Sequence, residues 1–306
     1  MTPKLTIGPI PYHWSADKKQ DFYARIADEA PVDTVYLGEV ICSKRAPFFD
    51  HHYDEVAARL TRAGKAVVFS SLAEVMLKRE RKAIEAMAEI AEFEIEINNA
   101  AGLLNISGRP HRIGPFLNVY NAETLSYFAD RGATHVCLPV ELPSASVAAM
   151  GQAAAVRAIG VEVQVFGRAS LAVSARCYHA RAHGRTKDNC QFVCEENPDG
   201  MPLTTQDGQS FLRINGIQTM SQSYINLIEE LPAMIGMGVT DFRLMPQDID
   251  MVAVAKVFAE TLTGLMTPAE AKAQFDALDF DAPFSNGFWH GQAGHRRIAA
   301  MGRSVE

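Results

Sequence analysis

Cysteine is scarce in this chain and unevenly placed: there are five in 306 residues, an odd number. Residues 1–15 carry no charged-then-apolar leader pattern, so a secreted disulfide framework is not expected and a cytoplasmic setting is. No uninterrupted apolar run approaches the roughly 20 residues of a membrane span. Excess positive charge is missing as well. A formal net charge of -7 gives no reason to expect nucleic acid as a partner. No G-x-G-x-x-G follows the first strand-like run and no P-loop occurs, which removes the commonest nucleotide-binding readings. H-E-x-x-H and a Ser/His/Asp set are both missing, and with them the usual hydrolase signatures. The paired C-x2-C knuckles that structural zinc sites favour are absent too.

What the chain has is an apolar content of 48%, ample for a large core, and a regular alternation of β-rich runs with amphipathic segments. Strands are expected at 5–8, 34–38, 66–70, 93–97, 113–119, 134–138, 161–166 and 241–244. Helical segments lie between most of them, among them 16–29, 72–90, 122–131 and 144–159. Another helix is expected over 222–234. Eight strands alternating with helices predict an α/β fold, a (β/α)8 TIM-barrel-like domain, over an open doubly wound sheet. One barrel-like domain is expected over 1–306. A cysteine-bearing insertion at 167–216 follows the seventh strand. A C-terminal tail at 268–306 is expected to pack on the barrel or on a partner, because Phe284, Phe288 and Trp289 would otherwise form an exposed apolar patch.

Side chains alternate along a strand. Phe93, Ile95 and Ile97 should then face the helices, with Glu94, Glu96 and Asn98 inward. Val161, Val163 and Val165 should face outward, leaving Glu162, Gln164 and Phe166 inside. Asp241 and Arg243 also fall inward, and Asn118 and Tyr120 fall on the inner face at the end of the fifth strand. A purely structural barrel interior would be mostly branched and apolar. The convergence of Glu96, Asn118, Glu162, Gln164 and Arg243 instead implies a polar cavity at the carboxyl ends of the strands. Glu96, Asn118, Glu162 and Arg243 are the candidate catalytic residues. The bland alternative is a self-satisfied buried network, since buried charges need partners.

Three of the five cysteines, Cys177, Cys190 and Cys194, fall in a polar, basic stretch with spacing C-x12-C-x3-C. Neighbouring thiolates in a chain of this kind serve a metal or redox chemistry. Cys42, Cys137, His179 and His183 are the candidates for a fourth position. Cys137 sits in an apolar strand and reads as a small buried hydrophobe. Cys42 follows the second strand, on the same barrel face as the loop after the seventh. Four thiolates can hold zinc or an iron–sulfur cluster, and wide, uneven spacing suits a cubane better. A nucleophilic cysteine with a histidine base is a third option, with His179 two residues from Cys177.

Glu162-Val163-Gln164-Val165-Phe166-Gly167, followed by Ser174-Ala175-Arg176-Cys177, resembles the signature of the collagenase-like peptidase family. Leu117-Asn118-Val119-Tyr120-Asn121 resembles another of its motifs. Phe166-Gly167-Arg168, Leu171-Ala172, Lys187-Asp188-Asn189-Cys190, Cys194 and Gly38-Glu39-Val40-Ile41-Cys42 are similar to its UbiU/UbiV branch. So is the tail Asn286-Gly287-Phe288-Trp289-His290-Gly291. Ser170 stands where the wider family has its first cysteine, and Ala175 where it has a glycine. In that branch a cysteine near the second strand serves instead. The resemblance implies a [4Fe–4S] cluster on Cys42, Cys177, Cys190 and Cys194, and a heterodimer with a UbiU-like partner. It further implies oxygen-independent hydroxylation of a ubiquinone precursor, with prephenate as oxygen donor. A collagenase-like peptidase, or an accessory iron–sulfur subunit without catalysis of its own, are the competing readings.

Overall fold

The computed structural model describes residues 2–299 except 107 and 279, so the end of the expected tail, 300–306, lies outside the described residues. Seven parallel strands follow one another: β1 (Lys4–Ile7), β2 (Thr34–Leu37), β3 (Ala66–Ser70), β4 (Glu94–Ile97), β5 (His111–Ile113), β6 (Ala133–Cys137) and β7 (Gly160–Val173). A meander of β8 (Met201–Thr204), β9 (Ser210–Asn215) and β10 (Gln218–Asn226) comes next, then β11 (Asp241–Leu244) and the short β12 (Phe284–Ser285). β11 pairs in parallel with both β1 and β7, which closes β1 through β7 and β11 into an eight-stranded barrel. Helices α1 (Ala16–Glu29), α2 (Tyr53–Arg62), α3 (Lys78–Ala88), α4 (Leu103–Ile106), α5 (Ala122–Ala129) and α6 (Ser144–Arg157) follow the first six strands. The short α7 (Tyr178–Ala182) lies beyond β7, and α8 (Leu231–Gly236), α9 (Met251–Leu262) and α10 (Pro268–Asp276) complete the chain. The apolar side chains lie in the layer between strands and helices, with Val35, Val136, Val161 and Phe242 fully buried there.

Four local expectations need correction. The fifth strand is His111–Ile113, not 113–119. Pro115, which has no N–H to donate to a ladder, opens a 3-10 turn through Leu117. Asn118 then turns the chain in the left-handed region at φ 54°. The segment expected as a helix over 222–234 begins as strand β10, and only its second half, from Ile228, is helical. The helix expected over 72–90 begins at Lys78, so the residues just after β3 form a loop over the barrel mouth. Phe166 does not point inward. A register irregularity between Arg243 and Leu244, opposite Gln164 and Phe166, marks a bulge that advances the alternation by one residue. Phe166 therefore packs outward among Phe258, Phe275 and Phe284. The Gln164 side-chain amide donates toward the carbonyls of Phe166, Gly167 and Arg168.

β7 does not stop at the barrel rim. It runs through Val173 and pairs antiparallel with β10, so the excursion expected at 167–216 is built on an extension of the barrel wall and returns at Asn226. The tail packs on its own barrel. β12 pairs with β10, the Trp289 carbonyl accepts from Ser144 N at 2.9 Å, and Trp289 is buried.

Candidate functional site

The inner faces of the strands build a polar network across the barrel. Arg243 donates through Nη2 to Glu96 Oε1 at 2.6 Å and to Glu162 Oε2 at 2.5 Å. The Tyr36 hydroxyl donates to Glu162 Oε2 at 2.7 Å and Thr6 Oγ1 to Glu162 Oε1 at 2.5 Å. Ser70 Oγ donates to Glu96 Oε2 at 2.7 Å. Arg112 reaches the Tyr36 hydroxyl at 2.8 Å and Glu94 at 2.6 Å. The Arg243 guanidinium also lies over the Tyr36 ring, 4.0 Å from its centroid. Burial alone would raise the pKa of Glu162, but Arg243, at hydrogen-bond distance, overcomes it and holds that carboxyl down at about 2. Glu96, Glu162 and Arg243 are thus one fully buried ion triad.

Above this network, at the carboxyl ends of the strands, lies a cavity of about 350 Å³. Glu96 and Arg243 reach it from the floor. Gln164 and Asn98 line it, and Asn118 and Tyr120 stand at its exposed rim, Tyr120 bonded to Glu141. Phe116, Leu138, Val140 and Met220 supply apolar wall. Of the four candidate catalytic residues, Glu96, Arg243 and Asn118 therefore border one cavity, Asn118 from the turn after β5 and not from the strand. Glu162 lies beneath and does not line it; it is the anchor that positions Arg243. Cys137 does line it, next to Arg243, with its thiol pushed well above the usual value by burial. Sequence reasoning missed this, although the same alternation that turned Glu162 inward applies to Cys137, its register partner.

A second, smaller pocket collects cysteines. Cys42, Cys177, Cys190 and Cys194 all line it, together with Lys44, Arg45, Lys187 and His179. Each thiol is positioned by local geometry. The carboxylate of Glu39 accepts from Ile41 N at 3.0 Å and Cys42 N at 2.9 Å, fixing the turn after β2. Cys177 caps α7, its Sγ accepting from Ala180 N at 3.4 Å. Gln191 and Phe192 are consecutive left-handed residues, at φ 48° and 55°, and they reverse the chain between Cys190 and Cys194. Among the described residues, no three His, Cys, Asp or Glu side chains close on a point that a single ion would occupy. The four thiols line a space instead.

The surroundings are cationic. Lys44 Nζ donates to the carbonyls of Lys187 and Asp188, at 2.8 and 3.1 Å, and lies 3.6 Å from Cys190 Sγ. Arg45 is fully buried beside Cys194, and its Nε has no partner. Burial pushes the Cys42 and Cys177 thiols up. Four cysteines lining one small pocket, flanking cations and an unpartnered buried donor fit a metal group that carries negative charge once ligated by thiolates. His183 does not line this pocket, and the His179 ring meets Asn197 through Nε2 at 2.9 Å and not Cys177. The cysteine–histidine pair considered from the sequence is not assembled.

The two sites are neighbours. Val40, Ile41, Ala73, Phe116 and Val173 line the cavity, and they pack in one apolar cluster with Cys177 and Cys190. Ile41 faces the cavity and Cys42, the next residue, faces the pocket.

A family model described as Peptidase family U32 matches residues 17–299. Among solved structures, the chain is similar to an uncharacterized B. cereus protein at 12% identity and TM-score 0.42. That match covers 80% of this chain and 61% of that one, so this chain spans less than two thirds of its length. It is similar to the phospho-2-dehydro-3-deoxyheptonate aldolase (DAHP synthase) of Thermotoga maritima at 12% identity and TM-score 0.44, over 92% of this chain and 72% of that one. Among the described residues, no helix is long and apolar enough to cross a membrane.

Proposed function

The chain belongs to peptidase family U32, and we propose that within it this protein is a UbiV-like iron–sulfur subunit. In this reading it acts with a UbiU-like partner in oxygen-independent hydroxylation of a ubiquinone precursor, with prephenate as the oxygen donor. The observation that carries the reading is the meeting of Cys42, Cys177, Cys190 and Cys194 at one cation-flanked pocket, drawn from loops more than a hundred residues apart. A [4Fe–4S] cluster held there by four thiolates would supply one-electron transfer, with every iron ligated by protein.

This chain's own residues supply the rest. Glu39 and α7 hold two of the thiols in place. Lys44 and Arg45 offset the charge of thiolates. Ile41 and Val173 form a water-excluding wall between the pocket and the cavity. In the cavity, Arg243 offers a fixed donor and Glu96 a fixed acceptor at the floor, while Phe116 and Leu138 present apolar surface suited to a ring. A peptidase reading would need a nucleophile with a base in reach, and among the described residues His179 makes no hydrogen bond to a cysteine thiol.

The test is anaerobic purification, alone and with the partner, followed by iron and acid-labile sulfide analysis. The proposal expects a brown protein with iron and sulfide in equal amounts. A colourless protein holding zinc and no sulfide would refute it.

A further inference from the structure

Arg45 is one of three arginines that are the largest fully buried side chains, and no carboxylate is hydrogen-bonded to it. Its hydrogen-bond partners are neutral: the Pro11 carbonyl accepts from Nη1 at 2.8 Å and Asn215 Oδ1 from Nη2 at 2.9 Å. Nε has no partner. No Asp or Glu lines the pocket that it faces. Glu39, itself buried, is close enough for its field to be felt but makes no hydrogen bond to Arg45: Oε1 is committed to the amides of Ile41 and Cys42, and Oε2 has no partner. A guanidinium taken out of water without a matched anion is costly, and proteins keep such groups where a charge completes them. The fold also makes room for it deliberately. At Gly216, φ +62°, a Cβ would stand 2.5 Å from Arg45 Nη2. Of the other cations that line the pocket, Lys44 and Lys187, Lys44 is already spread over two carbonyls, while Arg45 Nε is uncommitted.

We infer that Arg45 is the buried counter-charge of an anionic metal group on the four cysteines, and that it favours the reduced form of that group. The inference rests on the proposed metal-binding role of the cysteines. Its physics is simple. One-electron reduction adds one negative charge and no proton need move. A fixed positive charge in a poorly hydrated site stabilises the more negative state. Arg45 is thus a positioning and tuning residue that touches the thiolate shell and not the substrate.

The experiment uses the full chain, purified anaerobically as wild type, Arg45→Met and Arg45→Lys. Two quantities are read: the melting-temperature gap between metal-loaded and chelator-stripped protein, and the reduced fraction in a dithionite-driven redox titration. Arg45→Met should narrow the gap, because the charge acts on the loaded state. It should also lower the ratio of reduced to oxidised group at a fixed potential by at least roughly tenfold, about 59 mV for a one-electron couple. Arg45→Lys should recover most of both. Equal melting losses in loaded and stripped Arg45→Met, with an unchanged potential, would make Arg45 a merely structural residue and overturn the inference. If Arg45→Met does not fold, Arg45→Gln, which retains a donor for the Pro11 carbonyl, is judged by the same two readouts. A wild-type protein holding zinc without sulfide would sink the iron–sulfur proposal and the reduced-form part of the inference with it, and the melting gap would then decide only the counter-charge part. A wild-type protein holding no metal would sink both.

Discussion

Replacing Arg243 by methionine should destabilise the protein most at neutral pH and less in acid. In the wild type, Arg243 lies 2.6 Å from Glu96 and 2.5 Å from Glu162, and all three side chains are buried. The pKa of Glu162 falls from 4.5 to about 2, which corresponds to roughly 3 kcal/mol of stabilisation. A depressed carboxylate pKa contributes stability that is present above the unfolded value, near 4.5, and is lost as pH falls toward 2. In Arg243→Met both carboxylates stay buried without their shared cation, a loss of about 3–5 kcal/mol at pH 7.5. Without Arg243 the burial of Glu162 is opposed only by Arg112 and the hydroxyl hydrogen bonds, so its pKa moves up from the wild-type position and the variant loses less stability than the wild type as pH falls. The penalty relative to wild type should therefore shrink. Glu162→Gln leaves Arg243 paired with Glu96, so it should cost clearly less than Arg243→Met at pH 7.5. Urea unfolding at pH 7.5 and pH 3.5 measures both differences. A penalty for Arg243→Met that is the same at both pH values, or no larger than that of Glu162→Gln, would refute the triad as the electrostatic centre of the barrel.

Cys42→Ser should reduce iron content as much as Cys177→Ser, while Cys137→Ser leaves iron near the wild-type amount, since Cys137 borders the other cavity; metal analysis of the purified variants decides this. Gly216→Ala should cost roughly 1–3 kcal/mol by forcing a Cβ into the left-handed region and against Arg45, read by thermal melting of stripped protein, and should also lower metal retention. Truncation before Phe284 should yield little folded protein, because Phe284 packs against Phe275 and Phe280 and pairs with β10. A soluble truncated chain with an unchanged melting temperature would contradict that packing.

The barrel was legible because strand alternation has a period of two and most of these strands keep it. Glu94, Glu96, Glu162 and Arg243 were placed inward from that period alone, and they do point inward. The method failed wherever one residue changed the phase. The bulge near Val165 turned Phe166 outward, and nothing in Val-Gln-Val-Phe-Gly marks it except the glycine that follows. The expected strand over 113–119 runs across Pro115, whose missing N–H keeps the ladder from continuing beyond Ile113. The helix expected over 222–234 takes in the end of strand β10, and only the part from Ile228 is helical. Asn118 reached the cavity rim by a turn instead of a strand end, so its position was foreseen for the wrong reason. Arg45 could not be singled out from sequence at all. It is one of several basic residues near the cysteines, and the partner that buries it, Asn215, lies 170 positions away.

Whatever the four thiols hold, the chain brings it next to the barrel cavity by two short connections. After β2, Val40 and Ile41 face the cavity and Cys42 the pocket. At the end of β7, Val173 faces the cavity and Cys177 the pocket. A metal site serving only to staple the excursion after β7 to itself would need neither connection. Cys177, Cys190 and Cys194 with one further ligand from β8 or β9 would suffice. Taking the fourth thiol from the loop after β2 instead ties the pocket to the barrel mouth and leaves a single apolar layer between them. Substituting Ile41 by a polar residue of similar size, as in Ile41→Asn, would admit water to that layer without touching a thiol or the Arg243 triad. If the two sites work together, such a change should lower activity by more than its effect on folding accounts for: the melting temperature falls because an amide replaces the buried Ile41 side chain, while the folded protein keeps its metal. Loss of metal in step with activity would instead assign the layer to the pocket alone.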